Sequence, residues 1–281
     1  MANAAQSTAT VKKPEKNEKF SSGFASWVMI LAIIAGICIY KFIFGDPANF
    51  IGGDPENQPI QGGARQYLGI IYHGGFVVPI LLSLVIMTIA FSIERYLTIS
   101  KASGKTNVNA FIAKIRAHLR SNNIDAAIRE CDTQRGSVAN VVKSTLFRYK
   151  EMEAATHMDV DQRILAIQQE VEESTNLELP MLEKNLVVLA TMGSVSTLVA
   201  LFGTVLGMIR AFAALGAGGA PDSSELATGI SEALINTALG IGNAAVAIVM
   251  YNVFTTKIDK ITYAIDEASY SIVQTFAEKY K

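Results

Sequence analysis

Four stretches of this chain carry almost no charge, and they constrain its fold more than any other feature. They are Phe24–Tyr40 (17 residues), Gly74–Ile93 (20), Asn185–Ile209 (25) and Leu226–Thr256 (31, interrupted only by Glu232). A helix needs ~20 apolar residues to cross a ~30 Å hydrocarbon core, so each run is long enough, the first only marginally. Composition agrees: half of the residues are hydrophobic and only 17% are charged, against roughly 25% in an ordinary soluble domain. The mean hydropathy is +0.30. A length of 281 residues would otherwise suggest about two soluble domains. The expected fold is an all-α polytopic membrane protein with four transmembrane helices, a helical cytoplasmic domain, and helices that extend out of the membrane.

Basic residues orient these helices. Counted outside the runs, Lys and Arg number four in residues 1–23, one in 45–73, twelve in 99–184, none in 215–225 and four in 257–281. That alternation follows the positive-inside rule, which is strictest for loops under ~60 residues. It places both termini and the 99–184 region in the cytoplasm. The expected organisation is a cytoplasmic tail (1–23), a first membrane helix (24–44), a periplasmic loop (45–73), a second helix (74–98) and a cytoplasmic helical domain (99–184). A third helix (185–214), a periplasmic link (215–225), a fourth helix (226–256) and a cytoplasmic C-terminal helix (257–281) complete it. The first run exceeds the ~7–15 apolar residues of a signal peptide and ends in Gly45-Asp46-Pro47, not a small-x-small cleavage site, so it reads as a retained helix. Trp27 and Lys41 suit interfacial anchoring. Segment 45–64 holds three Pro and five Gly and reads as an irregular outer loop.

The 99–184 region has twelve acidic and twelve basic residues, and its apolar spacing is helical. Phe111, Ile115 and Leu119 form one stripe, Val138, Val141, Val142, Leu146 and Tyr149 a second, and Ile164, Ile167, Val171 and Leu177 a third. Asn122-Asn123 and Arg135-Gly136-Ser137 read as turns. Pro180 should kink or interrupt the last helix just before it enters the membrane. Soluble chemistries find little support. The net charge of −1 leaves no nucleic-acid footprint. Cys38 and Cys131 read as small packing residues. His73, His118 and His157 lack metal-ligand spacing. Gly104-Lys105-Thr106 imitates the end of a phosphate-binding loop, but position 99 is Ile where that loop needs Gly. No nucleophile–base pair or metal set is visible, so neither enzymatic activity nor a cofactor is expected.

The third and fourth runs differ from the bulky first two, which suit lipid-facing helices. Small residues recur at helical spacing: Ala190, Gly193, Thr197, Ala200, Thr204, Gly207 and Ala211 in the third, Ala233, Thr237, Gly240, Ala244 and Ala247 in the fourth. Gly203-x3-Gly207 is a small-xxx-small pattern that lets backbones approach closely. Glu232, Asn236 and Asn243 fall within about 40° of one another on the fourth helix. This polar face either packs helices, with amides and hydroxyls bonding across them, or lines a polar path. A membrane carboxylate costs at least ~2.5 kcal/mol, so Glu232 should be paired, hydrated or protonated. Arg210 and Glu232 flank the short link at similar depth. They either pair, within or between subunits, or Arg210 snorkels to the surface.

These residues resemble the MotA/TolQ/ExbB family of proton-channel proteins, from Leu182 to about Phe254, with a weaker match at Phe91–Leu97 around Glu94-Arg95. The motifs are Leu201-Phe202-Gly203-Thr204-Val205-Leu206-Gly207-Met208 and Gly229-Ile230-Ser231-Glu232-Ala233-Leu234, followed by Thr237, Gly240 and Tyr251-Asn252-Val253-Phe254. Within the family the pattern is most similar to ExbB-type members. Carried over, Thr204, Thr237 and Glu232 match the family's pore-lining polar positions. Asn236, Asn243 and Arg210 are additional polar groups, and Gly203, Gly207, Ala233, Gly240 and Ala244 are the helix-packing positions. The chain departs from the pattern in its extra N-terminal helix and outer loop, and in Thr197 and Val246, where the family commonly has proline.

The resemblance implies a bacterial inner-membrane subunit that assembles as a homo-oligomer, a pentamer, with its third and fourth helices around a pore. Inside would sit the helices of an ExbD-like dimer bearing a protonatable Asp, consistent with the absence of a mid-depth Asp on this chain's own pore helices. Protons crossing would drive a TonB-like protein that energises transport across the outer membrane; lipid and protons are the remaining partners. Two other readings remain: a TolQ-like, flagellar or gliding motor subunit, and a non-conducting membrane scaffold.

Overall fold

The computed structural model describes residues 19–216 and 223–280. Most of the N-terminal tail, with Lys12, Lys13 and Lys16, the centre of the 215–225 link, and Lys281 lie outside the described residues. The chain runs through α1 (Lys19–Cys38), which continues as a wider π-helical segment over Ile39–Phe44, then two 3₁₀ turns and α2 (Ala64–Tyr72). It continues through α3 (Val78–Ala102), α4 (Val108–Arg120), α5 (Ile124–Gln134), α6 (Ser137–Ala154), α7 (Val160–Glu183), α8 (Leu186–Gly216) and α9 (Ser223–Tyr280). Among the described residues there is no strand, only an isolated bridge between Phe50 and Pro59. Four helical segments are long and apolar enough to cross a membrane: Ser26–Phe44, Val77–Ala102, and the stretches that contain α8 and α9. The 58 residues of α9 span ~87 Å at 1.5 Å per residue, far more than a bilayer needs. One uninterrupted helix therefore joins the fourth apolar run to the C-terminal segment.

The water-side domain is a bundle of α4–α7 around the far half of α9. Phe111, Ile115, Val141, Val142, Leu146, Tyr149, Ile265, Ile272 and Phe276 are all fully buried there. Asn107 and Asn123 cap α4 and α5 by accepting from the backbone N–H groups of Asn109 and Ala126, which supplies partners for otherwise orphaned helix-end donors. The first two apolar stripes are buried throughout. The third is not: Ile167 is buried, Ile164 and Val171 only partly, and Leu177 is 64% exposed. The face α7 buries includes Arg163 and Ser174 instead. Arg163 is accommodated because its guanidinium lies 5.1 Å from the Tyr280 ring centroid and 5.9 Å from that of Phe276, a cation–π setting that replaces part of its hydration. Burial pushes the Cys131 thiol up to about 12, as befits a packing residue; Cys38, in contrast, is exposed on α1.

Pro180 does not end α7. The helix runs on to Glu183, and the break falls at Lys184 and at Asn185, whose φ is +65°. Proline removes its own N–H from the ladder but is carried inside the helix here, whereas the left-handed conformation at Asn185 breaks the helix, and asparagine tolerates it better than most residues. Arg95, buried on α3, closes this junction. It donates to the carbonyl of Leu182 at 3.1 Å and pairs with Glu94, while Asn185 donates to Glu94. Orphan carbonyls at the end of α7 thereby gain a cationic partner.

On the membrane side, α1 exposes Trp27, Ile30, Leu31, Ile33, Ile34 and Ile37, as a lipid-facing helix should. The reading of α3 as lipid-facing needs correction: Val78, Leu81, Leu84, Met87 and Phe91 are buried, because α3 is packed between α1 and the α8–α9 pair. The outer segment is more ordered than its Pro and Gly content suggests. Tyr40 stacks on Tyr72 at 4.7 Å, and Asn49 donates to the carbonyls of Ile43 and Phe44 at the end of the π-helical segment.

Candidate functional site

Helices α8 and α9 run antiparallel along a seam of small residues. A Cβ added at Gly207 would come within 2.8 Å of the backbone of Gly229 and Ala233, and one at Gly240 would collide with Ala200. Asn243 donates to Ser196 Oγ at 2.7 Å, and Gly203 faces Asn236. The buried stripe of α8 is Gly193, Ser196, Ala200, Gly203, Gly207 and Ala211, and that of α9 includes Gly229, Ala233, Asn236, Gly240, Asn243 and Ala244. The expected packing glycines and alanines thus all lie on it. Ser196 was missed by sequence reading, although it sits at helical spacing between Gly193 and Ala200. In hydrocarbon no hydrophobic force draws helices together, so close approach and amide–hydroxyl bonds hold this seam.

The polar residues fall into two sets, where sequence reading put them on one lining. Glu232 (1% exposed), Asn236 (0%) and Asn243 (6%) are inside the protomer. Glu232 Oε2 accepts from Arg210 Nη1 at 2.9 Å, so the two pair within one chain. Oε1 has no hydrogen-bond partner among the described residues and rests against Gly75. Gly75 has φ +77° and no room for a Cβ beside that oxygen, so only glycine serves there. The neighbouring Gly74 carbonyl accepts from Asn236 Nδ2 at 3.0 Å. The turn before α3 therefore covers the polar face of α9. The three side chains bond to Arg210, Gly74 and Ser196, while Asn236 Oδ1, like Glu232 Oε1, has no hydrogen-bond partner among the described residues. Arg210 is 60% exposed at its side chain and carries the charge of the pair to the surface.

Thr204 and Thr237 form the second set, both partly buried. Thr204 Oγ1 donates to the carbonyls of Ala200 and Leu201, and Thr237 Oγ1 to that of Ala233. Each hydroxyl oxygen keeps lone pairs for an outside donor. The two are level: each follows by one residue the facing pair Gly203 and Asn236. One residue on turns a helix by about 100°, and in antiparallel helices that turn is toward the same side of the seam. Glu232 and Arg210 each precede a seam alanine, Ala233 and Ala211, and so lie on the opposite side. One side of the seam is closed by α3 and the Gly74–Gly75 turn. The other presents two threonines and, beside Thr204, a shallow apolar groove along Leu201, Val205, Met208 and Phe212.

Comparison with known proteins shows what this segment is similar to. Residues 139–267, from α6 through most of α9, match the MotA/TolQ/ExbB proton channel family. Over that segment the chain is similar to the MotA/TolQ/ExbB family. It is similar to the Tol-Pal system protein TolQ of Haemophilus influenzae, 41% identical over 86 residues, which cover 31% of this chain and 38% of that protein. It is 40% identical over 86 residues to the biopolymer transport protein ExbB of Pseudomonas putida, covering 31% of this chain and 26% of that one. TolQ of Pseudomonas aeruginosa is 31% identical over 120 residues, 43% of this chain and 52% of that protein. The matched stretches thus span 26% to 52% of these relatives' own lengths. ExbB and TolQ relatives stand at similar identity. The Glu94–Arg95 clamp, the outer segment and α1 all precede the matched interval.

Proposed function

We propose that this chain is an ExbB-like subunit of a proton-driven motor in the bacterial inner membrane, with both termini cytoplasmic. Five copies would enclose a pore lined by α8 and α9, with the helices of an ExbD-like dimer inside and a TonB-like protein passing the work to outer-membrane transport. Its work would be mechanical, not enzymatic. The observation that supports this most is the pair of level threonines on the open side of the seam. In a closed ring that side can face the axis, where Thr204 and Thr237 would offer acceptors to a protonated partner carboxyl. The groove beside Thr204 has the apolar character a partner helix requires. The Arg210–Glu232 pair on the other side would hold the outer ends of α8 and α9 at fixed separation while the partner moves.

The test is proton flux into liposomes holding the full chain and its partner. Thr204→Val with Thr237→Val should lower flux tenfold or more while the mass of the complex stays that of the wild type. Wild-type flux in the double variant would remove both hydroxyls from the mechanism. A Tol-type load is the second reading, supported by the TolQ relatives. Recovery of Tol-Pal system proteins rather than an ExbD-like partner with the tagged chain would decide for it.

A further inference from the structure

Where α3 and α9 leave the membrane, a cleft of about 980 Å³ opens between the end of α3, the α3–α4 turn and α9. Tyr96, Ser100, Thr106 and Asn107 line one wall, and Lys257 and Lys260 the other. Toward the membrane, Thr256, Lys257 and Lys260 also border a second groove, of about 450 Å³, whose walls are Val249, Asn252 and Val253. The two form one trough along α9. From Val249 to Lys260 it covers ~16 Å of helix, apolar at the membrane end and cationic at the water end.

Charge sets this trough apart from the nearby water-side surface. There Lys114, Arg116, Lys143, Arg148, Lys150 and Lys279 each pair with a carboxylate. Among the described residues, neither Lys257 nor Lys260 has a carboxylate within ion-pair distance. Lys257 instead stands 5.0 Å over the exposed ring of Tyr96, and the exposed Tyr263 borders the same cleft. Asp259 is the one acidic residue in the lining, leaving an excess of positive charge. Lysines and tyrosines at this depth meet the headgroup layer.

We propose that this trough binds an anionic phospholipid of the adjoining leaflet, its phosphate between Lys257 and Lys260 and its upper acyl chain against Val249 and Val253. The proposal rests on the membrane-spanning fold and is independent of proton conduction. Free phosphate would satisfy the lysines but not the apolar half. Each lysine near an anionic leaflet adds ~5-fold to binding.

Native mass spectrometry of the full-length oligomer, titrated with phosphatidylglycerol and with phosphatidylcholine, tests it. The wild type should retain phosphatidylglycerol about tenfold better. Lys257→Gln with Lys260→Gln should abolish that preference, and Val253→Trp, which fills the apolar end, should lower retention of the diacyl lipid. Asp259→Asn should raise it a few-fold; as a gain, this arm decides the matter even if the lysine double variant folds poorly. An unchanged preference in the lysine variant together with no gain in Asp259→Asn would overturn the proposal. So would displacement by millimolar glycerol phosphate, which marks a free-phosphate site. Efficient disulfide formation between copies through a cysteine at Thr256 would also overturn it, since protein would then cover the trough.

Discussion

Between Gly229 and Ala247, the face that α9 buries is made of Gly229, Ala233, Gly240, Ala244 and Ala247, with Glu232, Asn236 and Asn243 among them. Between Phe254 and Phe276 the same helix buries Phe254, Ile258, Ile261, Ile265, Ile272 and Phe276, with the small Ala264, Ala268 and Ser269 among them. Nothing interrupts the backbone between the two halves. What changes is the surrounding medium. In water, removal of apolar surface drives association and favours large side chains. In hydrocarbon an isoleucine gains little by leaving the lipid, and the exposed faces of α8 and α9 show it: Leu198, Leu201, Phe212, Leu234 and Val249 lie outside. Backbone proximity and polar bonds hold the membrane half, so its buried residues are small or hydrogen-bonding.

Substitutions in the two halves can break this contrast. The largest effect belongs to the water-side half. Phe276 is fully buried and meets Tyr149 edge-on at 5.0 Å. Phe276→Ala should cost ~3–5 kcal/mol in denaturant unfolding of the solubilised protein. Ala247→Gly, equally buried in the membrane half, should cost no more than ~1 kcal/mol. Similar losses at both positions would show that one packing rule governs the whole helix.

Glu232→Gln is the intermediate case. It keeps the side-chain shape and an oxygen for Arg210 but removes the charge, and a charge-assisted hydrogen bond contributes ~1.5–3 kcal/mol. Water reaches the exposed Arg210, which places the loss toward the lower end. Exchanging the pair, Glu232→Arg with Arg210→Glu, should recover part of the thermal stability lost by either single change. If Glu232→Gln alters neither stability nor proton flux, the carboxylate is inert.

The smallest effect is a pH dependence confined to the water-side half. Glu153 accepts from Lys279 Nζ at 2.5 Å and from Tyr280 Oη at 2.8 Å. The hydrogen bond from Lys279 is the main cause that holds its carboxyl below the ordinary range, against the opposing effect of burial. A carboxyl lowered by folding contributes stability above its unfolded value of ~4.3. That stability is lost as pH falls through the lower folded value. The pair is partly exposed and screened, so at most ~1 kcal/mol is involved. Melting temperature measured downward from about pH 6 should fall less steeply in Glu153→Gln than in the wild type; identical slopes would take this clamp out of the acid response.

Charge-free runs, small-residue spacing and paired motifs were enough to show an all-α membrane protein and to single out Gly203, Gly207, Ala233, Gly240 and Ala244 as packing positions, because run length and residue size are local properties. The stripes led by Phe111 and Val138 were legible for the same reason. Leu177 misled, since the face α7 buries depends on what α6 and α9 present to it, and the end of α7 is set beyond Pro180, by Asn185 and by Arg95 reaching from another helix. The polar residues show the limit most sharply. Periodicity put Glu232, Asn236 and Asn243 together on α9, but only the register against α8 and the Gly74–Gly75 turn decided that they face inward, that Arg210 meets Glu232 within one chain, and that Thr204 and Thr237 lie level on the open side. The direction of a side chain follows from one helix; what it meets follows from the helices packed around it, because in a medium without water the partners of a buried polar group come from them.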